Sequence, residues 1–154
     1  MWSAVSESVD PALPELVIDT DVWSALYANY RAGSPEVMRW REIVSRVRVP
    51  VIATQTRAEV LSGLGALGPR RAAQLREQLG RSAEYPVTDA VVEAYATLFH
   101  QAKLAGHPLH QKIHTGDRWI AATAIALDVP LLSADRMFEG APRLHVVDWW
   151  SVQT

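Results

Sequence analysis

The sequence predicts an α/β fold with a central, mainly parallel sheet flanked by helices on both faces. Two observations carry this. Short apolar runs of strand length (Leu16-Val17-Ile18, Val49 to Ala53, Leu131-Leu132 and residues 144–147) are separated by longer helix-forming stretches. Alternating β and α units favour parallel strands joined by crossover helices. The coarse order is strand, helix, helix, strand, helix, helix, strand, helix, helix, strand, short helix, strand.

Taken in order, Leu16-Val17-Ile18 reads as a buried strand that runs directly into Asp19. Thr20, Asp21 and a helix-like stretch with Trp23, Leu26, Ala28 and Tyr30 follow. Ser34-Pro35-Glu36 marks a helix start, because proline at the first helical position lacks only an N–H that would have no partner there. Behind the apolar run Val49 to Ala53, Thr54 or Thr56 is placed to cap a helix over 54–67, which puts Glu59 in its first or second turn. Gly68-Pro69 opens another helix, and Thr88-Asp89 caps a long one that stops at Gly106. Asp117 follows Thr115-Gly116 and opens the Ala-rich, strongly helix-forming run 118–127. Pro130 introduces Leu131-Leu132-Ser133-Ala134-Asp135, with Met137 and Phe138 beyond. Residues 144–147 are expected to form a last short strand.

At 154 residues the chain holds one ordinary domain. An apolar fraction of 49% beside 21% charged residues fits a globular domain with a real core. Residues 1–14, with their serines and prolines, read as a flexible N-terminal extension, and 15–150 as the folded domain. No cysteine is present, so disulfides and thiolate metal sites are excluded. Neither a membrane span nor a signal peptide is evident, and a cytoplasmic protein is expected.

Asp19, Glu59, Asp117 and Asp135 each stand where an apolar run meets a helix-like run. In an open α/β sheet the strand C-termini and helix N-termini share one edge, so these four carboxylates are expected to converge there. Clustered acids point to a divalent metal. Each also has a plainer role: Thr20 or Asp21 as a helix cap, Asp117 at the positive end of a helix dipole, Asp135 in a turn, Glu59 as a solvated surface acid.

The stretches Val17-Ile18-Asp19-Thr20-Asp21-Val22-Trp23-Ser24, Ala58-Glu59-Val60, Gly116-Asp117-Arg118-Trp119-Ile120-Ala121-Ala122-Thr123-Ala124 and Leu131-Leu132-Ser133-Ala134-Asp135-Arg136-Met137-Phe138 carry a family resemblance. The chain resembles PIN-domain ribonucleases, and specifically the VapC-type toxins of bacterial type II toxin–antitoxin pairs, over roughly residues 15 to 148. Ser133 stands where the family often has Thr. The resemblance implies a single PIN-like domain and a metal-dependent endoribonuclease, a hydrolase of RNA phosphodiester bonds. It also implies a homodimer, and a cognate antitoxin whose tail covers the site.

Four carboxylates suit Mg²⁺, with Mn²⁺ as the alternative ion: a hard cation takes oxygen ligands and keeps several waters. Metal-activated water would then hydrolyse the phosphodiester without a protein nucleophile. By position Asp19 and Asp117 are the direct ligands. Glu59 and Asp135 would hold bound water or a second ion, with Thr20, Asp21 and Ser133 behind them.

Two rival readings exist. Asp19-Thr20-Asp21 also resembles the start of haloacid-dehalogenase-type phosphatases, but only Lys103 and Lys112 are lysines and no adjacent acidic pair follows. A PIN-fold binding module without nuclease activity is the other. His107, His110 and His114 lie at a spacing that suggests zinc, yet Pro108 breaks any helix there; a solvated loop, or RNA or phosphate contact with Lys112 and Arg118, are the alternatives. Net charge is −2, so RNA binding needs a local basic surface, for which Arg70, Arg71, Arg76 and Arg81 on one helix are candidates. Trp23, Tyr27, Tyr30, Val37 and Trp40 supply more apolar surface than one small core requires and suggest a partner surface.

Overall fold

The computed structural model describes residues 15–28 and 34–151. The expected extension over 1–14 and the aromatic Tyr30 lie outside the described residues. Strands β1 (Glu15–Ile18), β2 (Val49–Ala53), β3 (Ala83–Tyr85) and β4 (Leu131–Leu132) form one sheet in the order β3-β2-β1-β4, with every pairing parallel. The α/β class and the parallel sheet are as the sequence predicts.

The last strand is not. Residues 144–147 give only an isolated bridge between Leu131 and Val146. Leu131 N–H donates to the His145 carbonyl at 2.8 Å and Val147 N–H to the Leu131 carbonyl at 2.9 Å. β4 is two residues long, so its neighbour finds no ladder to extend.

The helices are α1 (Thr20–Trp23), continuing as a π-helical segment Ser24–Ala28, then α2 (Pro35–Ser45), α3 (Thr54–Gly63), α4 (Pro69–Arg81), α5 (Asp89–Ala105) and α6 (Thr115–Leu127). Pro35 and Pro69 occupy first-turn positions as expected. Thr88 caps α5 by accepting from Val91 N–H at 3.3 Å, and Gly106 closes it at φ +70°, a left-handed conformation that favours glycine. Neither Thr54 nor Thr56 caps α3. Thr54 donates instead to Glu84 at 2.7 Å, and Thr56 is buried against Thr20.

Alternate residues of β1 face opposite sides of the sheet, and each side has its own core. Leu16 and Ile18 join Trp23, Val37, Trp40 and Leu79, so α1, α2 and α4 cover this side. Val17 joins Leu98, Ala102, Ile120, Ala121 and Ala124, so α5 and α6 cover the other. Trp23 is fully buried and Trp40 is 7% exposed, its ring edge-on to Trp149 with centroids 5.2 Å apart. Trp23, Val37 and Trp40 are therefore core and not a partner surface; β1 and β2 are buried on both faces and need large apolar cover on each.

Strand order reverses at β1, which has β2 on one side and β4 on the other. The crevice beyond the carboxyl ends of β1 and β4 is where ligands bind in open α/β sheets. Asp19 follows β1 directly, and Ser133 follows β4 directly.

Candidate active site

Asp19 leaves β1 in an extended conformation and caps α1. Its Oδ1 accepts from Thr20 N–H at 2.7 Å, and its Oδ2 accepts from the Ser133 hydroxyl at 2.6 Å. So the cap of α1 is Asp19 itself, not Thr20 or Asp21. Ser133, completely buried, also accepts from Asp135 N–H at 2.9 Å, so one hydroxyl ties the end of β1 to the turn after β4. The indole N–H of Trp149 donates to the Ser133 carbonyl at 2.6 Å and holds that residue from behind. Asp135 is exposed and caps the short 3-10 turn Arg136–Phe138, accepting from Met137 N–H at 2.9 Å.

Glu59 lies in the second turn of α3 and is half-buried rather than solvated. Thr20 Oγ1 donates to Oε1 at 2.5 Å, and the Gln55 amide donates to Oε2 at 2.9 Å. A hydroxyl has one proton, so the 2.9 Å contact between Thr20 and Thr56 has Thr56 as donor. Gln55 and Thr56 thus orient Glu59 directly and through Thr20. The sequence reading missed this role, because an i,i+4 neighbour and a helix-start threonine look like ordinary surface and cap residues.

Asp117 sits in the first turn of α6, where its Oδ2 contacts His114 Nδ1 at 2.8 Å. Gly116 permits the approach of this turn to α3: a Cβ there would fall 2.8 Å from Gln55 Nε2 and 3.0 Å from Glu59 Oε2. Asp117 is the electrostatic hub of the four acids. Its charge is felt by Asp19, and it feels those of Asp135 and Glu59. Asp21 is exposed in the first turn of α1, and its charge also reaches Asp19.

Burial pushes the Asp19 carboxyl up to about 7, helped by the charges of Asp21 and Asp117 and opposed by the hydrogen bonds from Ser133 and Thr20. Burial also raises Asp117, with Asp135 and Glu59 adding and His114 opposing. An acid with a raised folded-state pKa binds a proton in the folded chain at pH values where the unfolded chain has lost it. Asp19 therefore makes metal-free protein less stable as pH rises from about 4 to about 7, the window between its ordinary and its folded value. Urea melts without metal are expected to show Asp19→Asn more stable than wild type at pH 7.5, with the gap narrowing toward pH 4.5. A gap that is constant with pH would mean that the Asp19 charge is not the cause.

The histidines are not a solvated loop. His107 Nε2 contacts the Glu139 carbonyl at 2.9 Å and its Nδ1 accepts from Leu109 N–H; His110 Nδ1 contacts the His107 carbonyl at 2.6 Å. Among the described residues, no three His, Asp or Glu side chains are placed so as to enclose an ion, which leaves the zinc spacing without support. Arg118 is not a phosphate contact either. It is 4% exposed, and its guanidinium donates to the Leu109 and Gln111 carbonyls, Tyr95 and Thr115. Of the four arginines on α4, Arg71 donates to the Ala28 carbonyl and Arg81 pairs with Glu77 at 2.6 Å, while Arg70 and Arg76 are exposed. A single four-arginine patch does not form.

A family model described as PIN domain matches residues 16–144. Among solved structures, the chain is similar to FitAcB from Neisseria gonorrhoeae, with 23% identity over 89% of this chain and 99% of that one, at a TM-score of 0.69. It is similar to VapBC2 from Rickettsia felis, crystallised with a DNA fragment from its promoter, with 18% identity over 86% and 97% at a TM-score of 0.68. VapBC-5 of Mycobacterium tuberculosis, from the VapBC family of toxin-antitoxin systems, matches with 22% identity over 86% and 97% at 0.61. A search of curated proteins finds no match. At these identities the solved structures attest the fold, while the family model covers most of the chain, from near the start of β1 to past the turn after β4. The chain belongs to the PIN-domain family.

Proposed function

We propose that this protein is a VapC-type toxin: a metal-dependent endoribonuclease silenced by a cognate antitoxin. The observation that carries the reading is the placement of Asp117 within electrostatic reach of Asp19, Glu59 and Asp135 at the switch point of a parallel sheet. The toxin–antitoxin complexes that share the fold support the partner.

The four acids suit a hard divalent cation by chemistry, although among the described residues no three of them already enclose an ion, so their side chains would have to close on it. The donor set is all oxygen, as Mg²⁺ or Mn²⁺ requires. The buried Asp19 carboxyl, held near 7, is a group whose charged form a nearby cation would favour. Asp19 and Asp117 would hold the ion directly, and Glu59 and Asp135 would act from the rim. When bound, the ion supplies charge neutralisation on the phosphoryl oxygens and a lowered pKa for water.

The chain's own part is positioning. Ser133 fixes Asp19 and the backbone of Asp135 together, Thr20 and Gln55 fix both oxygens of Glu59, and His114 fixes Asp117. Hydrolysis then adds water across the phosphodiester: a new P–O bond forms from water, the bond to the leaving ribose oxygen breaks, and that oxygen takes a proton. No carboxylate needs to become covalently linked.

The phosphatase alternative finds little support, since it needs a later lysine and a further acidic pair, and the chain has only Lys103 and Lys112 and no adjacent acidic pair. Among the described residues no helix is long and apolar enough to cross a membrane. A cytoplasmic homodimer is the expected form.

Purified protein is expected to cut RNA internally, to stop with EDTA, and to recover with Mg²⁺ or Mn²⁺. Cleavage that persists in EDTA would overturn the metal assignment. Failure to cleave with any divalent ion, in protein that still binds a partner, would favour a PIN-fold binding module.

A further inference from the structure

Next to the acids, a cleft of about 260 Å³ opens between the π-helical segment, α3 and α4. Thr20 and Glu59 are among its lining residues, Val60, Leu67 and Leu75 line it with apolar surface, and Arg71 stands in its wall. We propose that this cleft holds the base of the nucleotide adjoining the scissile phosphate of a single-stranded RNA, an inference that rests on the nuclease reading above.

Three features point to a base. The first is continuity: Glu59 and Thr20 belong to the cleft and to the acid site, so whatever fills one abuts what is bound at the other. The second is chemistry. An unstacked base has two apolar faces and a polar edge; proteins stack it on aromatic rings or guanidinium planes while polar groups meet the edge, and aliphatic side chains cover a face by van der Waals contact. Val60, Leu67 and Leu75 supply apolar surface, Thr20 and Ser24 supply hydroxyls, and Arg71 is anchored by its hydrogen bond to the Ala28 carbonyl. The third is the backbone. Ser24 and Ala28, the ends of the π-helical segment, both line the cleft, and single π turns recur at functional sites. The cleft is lined by helices and not by a sheet edge, so it does not take a peptide by strand addition.

Gly63 provides the test. It lines the cleft at the end of α3, a Cβ added there meets nothing within 4 Å, and its φ of −83° suits any residue. Gly63→Leu would fill the cleft without disturbing the core, and a melting temperature at or above that of wild type would verify this. Wild type is assayed first with Mg²⁺ or Mn²⁺ on short RNAs sharing one cleaved phosphate, in which each flanking nucleotide in turn is intact or abasic. Gly63→Leu is expected to lower kcat/KM about tenfold on intact RNA, in the range of one lost stacking contact. It is expected to match wild type within about twofold on the RNA that is abasic at one flanking position.

Equal loss on intact and abasic RNA, or no loss on either, would overturn the base subsite while leaving the nuclease reading in place. Normal cleavage together with weakened binding of a co-expressed partner protein would assign the cleft to that partner instead. An absence of wild-type cleavage would remove the nuclease reading and this inference with it.

Discussion

Asp117→Asn is expected to reduce RNA cleavage by about a thousandfold or more while raising the melting temperature of the metal-free protein by about 2–4 °C. The first effect follows from chemistry. Charge neutralisation by a bound cation contributes several kcal/mol to a phosphoryl-transfer transition state, and about 4 kcal/mol corresponds to roughly a thousandfold in rate. The second follows from electrostatics. Asp117 is partly buried and faces the charges of Asp135, Glu59 and Asp19, which its contact with His114 only partly offsets. Asn is nearly isosteric, retains an acceptor for His114 and removes the repulsion. A gain of about 1 kcal/mol in a chain of this size shifts melting by a few degrees.

Added Mg²⁺ should stabilise wild type with a logarithmic dependence on concentration above its dissociation constant, and the variant should lose most of that response. Thermal melts of both proteins, with and without metal at neutral pH and matched ionic strength, measure this. Should Asp117→Asn melt lower than wild type without metal, and both respond alike to the ion, Asp117 would be a helix-start residue and the metal assignment wrong.

Much of what positions these acids is legible in the sequence, because the signals are local. An apolar triplet running into Asp19 reads as a strand end, and Pro35, Pro69 and Gly106 mark helix ends by backbone chemistry that acts within a few residues. The family is legible for the same reason, since four short motifs in a fixed order identify it and the PIN model then matches 16–144.

What the sequence does not disclose is tertiary. Thr54 and Thr56 have the chemistry of caps, yet their hydroxyls find Glu84 and Thr20 across the fold. Trp40 carries the same apolar surface whether it meets a partner or Trp149, which lies far along the chain. Trp149 in turn reaches the Ser133 carbonyl from a segment with no periodic pattern. Arg118 looks like a phosphate-binding cation because nearly all arginines are exposed, and only the packing of α5 against α6 shows that it is enclosed.

The enclosure of Arg118 leads to the second large effect. Its guanidinium lies 5.0 Å from the ring centroids of both Tyr95 and Phe99, and Tyr95 stacks on Trp119 with centroids 3.9 Å apart. Its Nη1 reaches the Leu109 carbonyl at 2.5 Å and the Gln111 carbonyl at 3.1 Å, while Nη2 reaches the Tyr95 hydroxyl at 3.0 Å and Thr115 Oγ1 at 3.3 Å. One side chain thus staples the segment between α5 and α6 to both helices, and that segment carries His114, the partner of Asp117. Arg118→Met keeps a flexible apolar body but leaves two inward-facing carbonyls without their charged donor. Hydrogen bonds to a charged group contribute roughly 1.5–3 kcal/mol each, offset in part because the buried cation no longer has to be desolvated. A net loss of about 3 kcal/mol is expected, a fall of roughly 6–12 °C in melting temperature. Arg118→Lys should recover little, since one ammonium cannot span both carbonyls or lie flat against two rings. Thermal melts of the three proteins decide the matter, alongside KM for RNA. If Arg118→Lys melts like wild type and only KM rises, Arg118 contacts phosphate after all, and the staple is not what holds the segment that carries His114.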